Sequence, residues 1–315
     1  MIVDSHMHPD LNGFTPDKIF QYFSNHKIDK AWFLTWDEIN PPISELYSPI
    51  TIDRVMEFYR MDKDRIVPFY APDPRRENAC DLLKHYKNQG VKGCGELKVT
   101  LQWNDSKILH FLDCLQELKF PLIFHMENSR SYYSYNKNSW LDKKFEKLMN
   151  GAFNGISRYY IDQFINNTGL FKKQINKKLI QFPGYLYDFA LFEKTIQKFP
   201  NVNFICHGPT FWKNISAHPS SYKYFDKGKI EKPGLSCELL EKYDNVYADI
   251  SGKSGYYAFI RDKKFTREFV EKNYHKLLFG TDNFIFNQQA FLNDFNLSPD
   301  KYSSIYYKNA EKLIF

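Results

Sequence analysis

The chain has 315 residues, enough to bury a large hydrophobic core, and α/β barrels of this length often form one domain. Its 43 Lys and Arg residues against 37 Asp and Glu residues give a net charge of +6 without a basic arm, so charge does not indicate a nucleic-acid partner. The sequence opens on a strand-like run rather than a signal peptide, and no apolar run approaches the length of a membrane span. We therefore expect a cytoplasmic protein with no membrane partner.

The first eight residues give the clearest signal in the chain. An apolar run, Met1 to Val3, leads into the pair His6 and His8. Residues two apart on a strand project to the same face, so both imidazoles would point at one place. Imidazole is a common ligand of zinc and related ions, although the pair alone is equally compatible with a surface histidine beside a buried one.

Strand-like and helix-like segments then alternate along the chain. Further strands are predicted at 31–36, 65–71, 91–99, 121–124, 202–206, 246–250 and 276–281. Helices are predicted at about 15–25, 51–61, 77–88, 104–119, 188–199, 235–243, 265–273 and 298–313. Eight strands with intervening helices predict a closed parallel (β/α)₈ TIM barrel, built as a single domain over residues 1–315.

Several of these strands end in a residue type that binds metals. The fifth strand leads to His125, the sixth to His207 and the last to Asp282. The fourth carries Glu96 and Lys98, which share a face by the two-residue period of a strand. Parallel barrels gather their sites from strand ends of this kind, so the sequence predicts one metal site at the carboxyl-terminal mouth.

Two connections are much longer than ordinary strand-to-helix loops. Residues 128–187, after the fifth strand, are rich in Tyr, Phe, Asn and Lys and are predicted to carry two short helices. Their position predicts a lid or pocket wall, with a packing or dimerisation element as an equal alternative. A second insertion follows the sixth strand over about residues 208–235.

Five widely spaced cysteines contain no Cys-x-x-Cys pair. We expect them to be reduced and mostly buried thiols, as in a cytosolic protein. They are Cys80, Cys94, Cys114, Cys206 and Cys237.

Taken in chain order, the motifs resemble the amidohydrolase superfamily, specifically its amidohydrolase-related (amidohydrolase 2) branch. The resemblance covers nearly the whole chain and rests on His6-x-His8, Glu96, His125, His207, Asp282 and the Asn309-Ala310 pair of the closing helix. It implies a metal-dependent hydrolase of amide, lactone or related bonds, and the branch also contains some decarboxylases.

The resemblance also implies roles for individual residues. One ion would be held by His6, His8, His125 and Asp282. Glu96 would complete that shell or bridge to a second ion, and His207 would bind the second ion or polarise the substrate carbonyl. Some members use a carboxylated lysine at the fourth strand, so Lys98 is an alternative to Glu96, which we favour because a carboxylate binds metal without modification. One or two ions are expected, with zinc as the first choice and manganese as the alternative.

The same residues predict a mechanism on chemical grounds. Imidazoles and a carboxylate leave a divalent cation with an open position, which lowers the pKa of a bound water towards about 7. Asp282 would act as general base and then general acid, and His207 would stabilise the developing oxyanion. Lys98, Asp249 and Trp212 are predicted to contact substrate. Asp249 has two further interpretations, as a group that orients a ligand histidine and as a helix cap.

The leading functional hypothesis is a metal-dependent hydrolase of a small molecule. The alternative is a nonoxidative decarboxylase of an aromatic or unsaturated acid, and a TatD-like nuclease is a weaker third. A barrel retained only for binding is disfavoured by the complete set of ligand types. A small-molecule substrate is the expected partner, with no nucleic acid, and homo-oligomerisation is left open.

Overall fold

The computed structural model of the chain describes residues 1–42, 49–135, 177–219, 225–285 and 287–314. Ten strands lie within these ranges: β1 (Val3–Met7), β2 (Lys30–Phe33), β3 (Ile66–Pro68), β4 (Cys94–Leu97), β5 (Leu122–His125), β6 (Arg130–Tyr135), β7 (Lys177–Phe182), β8 (Phe204–His207), β9 (Val246–Asp249) and β10 (Leu277–Leu278). β6 and β7 form a separate antiparallel ribbon. The other eight strands pair in parallel, in the orders β1-β2-β3 and β4-β5-β8-β9-β10.

Backbone hydrogen bonds join these two groups of strands at both edges. Between β3 and β4, the amide of Lys92 donates to the carbonyl of Pro68 at 3.0 Å, and the amide of Tyr70 donates to that of Gly93 at 3.0 Å. Between β10 and β1, the amide of Ser5 donates to the carbonyl of Phe279 at 2.9 Å. The eight parallel strands therefore close into a ring, which confirms the predicted barrel.

Helices follow most of the strands and pack around the ring. They are α1 (Pro16–His26), α2 (Ile52–Met61), α3 (Ala79–Asn88), α4 (Ser106–Leu118), α5 (Phe189–Lys198), α6 (Pro209–Lys213), α7 (Leu235–Lys242), α8 (Gly252–Ile260), α9 (Lys263–Asn273), α10 (Gln288–Asn293), α11 (Pro299–Ser303) and α12 (Asn309–Ile314). Side chains cap the amino termini of several helices. Asp105 accepts from the amide of Lys107 at 2.8 Å, and Asp188 accepts from that of Leu191 at 2.9 Å.

The interior of the ring is a small core of its own. Buried side chains of successive strands form this core, and two residues of the carboxyl-terminal helix α12 complete it. Its members include Val3, Trp32, Leu34, Phe69, Ile123, Ile205, Tyr247, Leu278, Ala310 and Leu313. β4 contributes Gly95 at this level, where a Cβ atom would lie 3.1 Å from that of Ile123. A larger apolar cluster fills the space between the strands and the outer helices.

The structure differs from the sequence-based expectations in several places. β2 ends at Phe33 rather than at residue 36, and the sequence does not predict the helices Pro209–Lys213, Gly252–Ile260 and Gln288–Asn293. The insertion after β5 begins and ends with the β6/β7 ribbon. The two short helices and the lid predicted for residues 128–187 fall largely on 136–176, outside the described residues. None of the described helices is long and apolar enough to cross a membrane.

We predict that the inner core sets the stability of the barrel. Phe69 is fully buried, and its ring stacks on Trp32 with centroids 4.5 Å apart. Phe69→Ala should lower the free energy of unfolding by about 3–5 kcal/mol in denaturant titrations. The substitution would leave a cavity inside the ring of strands, and the ring cannot collapse to fill it. Met61→Ala, at an exposed helix end, is the control and should cost less than about 1 kcal/mol. Equal effects of the two substitutions would contradict this view of the core.

A candidate metal centre at the mouth of the barrel

Six metal-binding side chains converge where the parallel strands end. They are His6 and His8 from β1 and the residue after it, Glu96 from β4, His125 from β5, His207 from β8, and Asp282 beyond β10. Three overlapping groups have ligand atoms within 4.8 Å of one another: His6, His207 and Asp282; His6, His8 and Glu96; and Glu96, His125 and His207. The structure thus brings together the six residues that the sequence predicts for one metal site.

The carboxylate of Glu96 lies at the centre of the cluster. Its Oε2 is 3.3 Å from Nε2 of His8 and 3.7 Å from Nε2 of His6. Its Oε1 is 2.9 Å from Nδ1 of His125 and 3.7 Å from Nε2 of His207. Each carboxylate oxygen therefore faces one pair of imidazoles, an arrangement that suits a carboxylate shared between two metal positions.

This grouping differs from the one implied by family resemblance. The resemblance placed His125 with His6, His8 and Asp282 around one ion. In the structure, His125 is grouped with Glu96 and His207, on the other oxygen of the central carboxylate. Asp282 lies on the first side, with Oδ1 3.5 Å from Nε2 of His8, and its Oδ2 is 3.9 Å from Nε2 of His207.

Hydrogen bonds outside the cluster fix the orientation of three of the rings. Nδ1 of His6 donates to the carboxylate of Asp249, and Nδ1 of His8 donates to the carbonyl of Leu34 at 2.9 Å. Nε2 of His125 faces the carboxylate of Glu127 at 3.1 Å. Each ring consequently turns its other nitrogen into the site, as metal-binding histidines do.

His207 is held in a different way. Its Nδ1 lies 3.2 Å from the hydroxyl of Ser251, which can either donate or accept a hydrogen bond. The inward Nε2 is therefore free to carry a lone pair or a proton. Burial, with the neighbouring His6 acting in the same direction, holds the pKa of His207 well below its usual value, so the ring is neutral at physiological pH.

The cluster contains more negative than positive charge, and this suits a bound cation. Nε2 of His6 and Nε2 of His8 lie only 3.2 Å apart, which requires a proton or a metal ion beside them. Oε2 of Glu96 is buried against the imidazoles of His6 and His8 and pairs with the ammonium of Lys98 at 2.7 Å. Mixed imidazole and carboxylate donors around such a point are those used by zinc and manganese sites.

The pKa shifts of the ligands have the same electrostatic origin. Burial raises the pKa of Glu96, but the Lys98 ammonium and hydrogen bonds from His125, His6 and His8 outweigh it and hold the pKa well below the usual range. Burial also raises the pKa of Asp282, and the charges of His6 and His8 only partly offset it. Asp282 is therefore the carboxylate at this site whose affinity for a proton is increased.

Local backbone geometry makes room for Asp282. The residue has φ of 54°, in the left-handed region, and so does Asn283 at 55°. The side-chain amide of Asn283 forms two hydrogen bonds with the backbone of His8, at 2.7 and 3.0 Å, which ties the end of β10 to that of β1. A Cβ atom on Gly252 would lie 2.9 Å from Oδ2 of Asp282, so only glycine fits beside this carboxylate.

The three residues predicted to contact substrate occupy different places. Lys98 pairs with Glu96 and lies 3.6 Å above the ring of Trp36, close to the site. Asp249 is fully buried beneath His6, so of its predicted roles the structure favours orientation of that histidine. The prediction for Trp212 was wrong, because its indole is 1% exposed and donates to the carbonyl of Asp249 from within the core.

The sequence does not predict the supporting role of three further residues. They are Glu127, Ser251 and Asn283, which bond to His125, His207 and the backbone of His8. Glu127 could have been found, because it lies two residues beyond His125. Ser251 and Asn283 come from other strand ends, and no spacing in the sequence pairs them with a particular histidine.

Similarity of the chain to known proteins lies in its structure. Neither a protein-family model nor a curated protein sequence matches it. Solved structures do match. An uncharacterised TIM-barrel protein from Bordetella bronchiseptica is 11% identical with a TM-score of 0.58, and the match covers 99% of this chain and 97% of that one. The chain has the fold of a TIM barrel.

Two further solved barrels relate this fold to known chemistry. A structure from Staphylococcus aureus described as a candidate amidohydrolase is 13% identical, with a TM-score of 0.53 and coverage of 99% and 98%. A dihydroxybenzoic acid decarboxylase from Polaromonas, solved with manganese and 2-nitroresorcinol, is 15% identical, with a TM-score of 0.52 and coverage of 99% and 96%. The predicted resemblance to the amidohydrolase-related barrels is therefore confirmed for the fold.

We predict that Asp249 strengthens metal binding through His6. Asp249→Asn should lower affinity for a divalent ion by about 10- to 100-fold, because the amide no longer holds the ring through a charged hydrogen bond. Competition with a chromogenic chelator measures this change. Asp294→Asn, at an exposed surface ion pair, is the control and should bind metal like the wild type. Unchanged affinity in Asp249→Asn would show that this contact does not support the site.

A second carboxyl near the site should make stability depend on pH. Glu38 accepts hydrogen bonds from the hydroxyl of Tyr185 at 2.9 Å and the amide of Thr100 at 3.1 Å. Burial raises its pKa from 4.5 to about 7 against the effects of Tyr185 and Arg75. The folded state therefore binds the proton more tightly, and the stabilisation is complete below pH 4.5 and lost as the pH rises through about 7.

Replacing Glu38 with glutamine should remove this component of the pH profile. Between about pH 5 and pH 8 the free energy of unfolding of the wild type should fall relative to Glu38→Gln by about 2 kcal/mol, as measured in denaturant titrations. Glu268→Gln, on the exposed face of α9, should follow the wild-type profile. Parallel profiles for wild type and Glu38→Gln would mean that Glu38 does not take up a proton in this range.

Proposed function

We propose that the protein is a metal-dependent enzyme of the amidohydrolase superfamily that hydrolyses an amide, lactone or ester-like bond in a small molecule. One observation carries the proposal: four imidazoles, three of them buried and that of His125 partly buried, turn a ring nitrogen towards the two oxygens of Glu96, with Asp282 beside them. A purely structural barrel has no use for this concentration of ligands at the end where barrel enzymes bind their substrates.

The arrangement of donors supports two ion positions. His6, His8 and Oε2 of Glu96 would hold the first ion, with Asp282 beside them, and His125, His207 and Oε1 of Glu96 would hold the second. Imidazole donors favour zinc, whereas the shared carboxylate and the manganese in the Polaromonas decarboxylase make manganese the alternative. A divalent ion bound there would lower the pKa of a water towards about 7 and polarise the bond to be broken.

The residues of the chain then have distinct tasks. The side chain of Asp282 is 17% exposed, against 0–2% for those of Glu96, His6, His8 and His207, so it is the carboxylate that meets an incoming molecule. It would accept the proton of the attacking water and return it to the leaving group. Where only the first position holds an ion, His207, whose Ser251 partner allows a proton on the inward nitrogen, would instead donate to the developing oxyanion. Lys98 would bind a carboxylate of the substrate.

Decarboxylation of an aromatic or unsaturated acid is the second candidate reaction. It is supported by the likeness to the Polaromonas decarboxylase and by the Lys98 ammonium, which lies at the site and can pair with an acid. We further propose that the enzyme works in the cytoplasm on a small molecule, and that the insertion after β5 covers the mouth of the barrel.

Asp282→Asn is the test of the proposed mechanism. An amide cannot accept the proton, so kcat should fall by at least about 100-fold while the melting temperature stays near that of the wild type. Asp294→Asn is again the matched control and should keep full activity. Turnover by Asp282→Asn at the wild-type rate would exclude a role for this carboxylate in proton transfer.

The products distinguish hydrolysis from decarboxylation. Metal-loaded protein should be offered a panel of lactones, amides and esters and a panel of aromatic and unsaturated acids. Hydrolysis incorporates oxygen from labelled water into the product, whereas decarboxylation releases carbon dioxide. Protein that stays metal-free after incubation with zinc and with manganese at neutral pH would remove the basis for either reaction.

A further inference from the structure

A group of thiols lies on the outside of the barrel, away from the metal centre. Cys80 is the second residue of α3, and His110 and Cys114 are one turn apart on α4, which packs against α3. Sγ of Cys80 lies 3.9 Å from Nε2 of His110, and Sγ of Cys114 lies 3.9 Å from the carbonyl oxygen of Cys80. The Cys114 thiol therefore contacts the backbone of Cys80 across the packing of the two helices.

The two cysteines differ in a way that suits sequential chemistry. Cys80 is partly exposed and has an exposed imidazole within reach to accept its proton, whereas Cys114 is buried. Burial, followed by the neighbouring Cys80, raises the pKa of the Cys114 thiol to about 12. Cys80 is therefore placed to react first with a molecule from solvent, and Cys114 is placed to react with the product.

Metal binding does not account for this cluster. Among the described residues, the groups of three or more metal-binding side chains with ligand atoms close together all lie at the mouth of the barrel. A thiol against the backbone of a second cysteine on the neighbouring helix, with an imidazole beside that cysteine, instead supplies the components of a reversible disulfide.

We propose that Cys80 and Cys114 are a redox-active pair that forms a disulfide between α3 and α4 when the protein meets a hydroperoxide. The thiol of Cys80 passes its proton to His110, and its sulfur attacks one peroxide oxygen. The O–O bond breaks, the leaving oxygen takes up the proton and departs as water, and Cys80 becomes a sulfenic acid. The sulfur of Cys114 then attacks that of Cys80, the S–O bond breaks, and a second water leaves with the Cys114 proton. Two thiols lose two electrons, and one hydrogen peroxide becomes two waters.

Peptide mapping of the full-length protein tests this pair directly. The reduced protein is exposed to hydrogen peroxide, remaining thiols are alkylated, and digests are analysed by mass spectrometry. We expect a Cys80–Cys114 cross-linked peptide that dithiothreitol removes, while Cys94, Cys206 and Cys237 stay free to be alkylated. Cys237→Ser, at a buried thiol of another helix, is the control and should form the same cross-link.

Variants separate the two steps. In Cys114→Ser the sulfenic acid should persist at Cys80 and be trapped by dimedone, whereas Cys80→Ser should give neither adduct nor cross-link. His110→Asn should slow the loss of the Cys80 thiol at least several-fold. Five alkylatable thiols after excess peroxide, or a cross-link that contains Cys94 in place of Cys80, would overturn the proposal. A wild-type rate in His110→Asn would overturn the role of the imidazole.

Discussion

The site depends on the contact between one buried carboxylate and four imidazoles. Glu96 places one oxygen towards His6 and His8 and the other towards His125 and His207. Only a closed ring of parallel strands brings these residues together, because they come from four strand ends distributed over about two thirds of the chain. The hydrogen bonds that close the ring, from β3 to β4 and from β10 to β1, therefore hold the site together as well as the fold.

Charge balance gives the site its chemical character. Glu96, Asp282, Asp249 and Glu127 lie in or against the cluster, where the ammonium of Lys98 pairs with Glu96 and the guanidinium of Arg130 pairs with Glu127. Burying carboxylates in this number requires positive charge nearby, which a divalent cation supplies in one place. The outer hydrogen bonds to His6, His8 and His125 turn the other ring nitrogens inward, so the rings are oriented before any ion binds. His207, held by a hydroxyl, retains the freedom to bind or to donate.

The sequence predicts the ligands better than it predicts their surroundings. His6-x-His8, Glu96, His125, His207 and Asp282 each end a short apolar strand, and in a parallel barrel all such ends meet at one edge. The grouping of His125 with His207 rather than with His6 depends on ring rotations that spacing does not encode. Trp212 shows a different limit of the sequence. It lies in a long connection between elements, and no local pattern there indicates that its side chain is buried behind β9. The β6/β7 ribbon was missed because the pairing of segments more than forty residues apart leaves no local pattern.

Diffraction from crystals soaked in manganese, recorded for anomalous scattering, would test the metal centre most directly. A peak within coordination distance of Nε2 of His6, Nε2 of His8 and Oε2 of Glu96 is the predicted result, with a second peak near Oε1 for a two-ion site. Ions found only elsewhere on the protein, with His6, His125 and Asp282 facing separate spaces, would contradict the central claim that these strand ends form one metal-binding site.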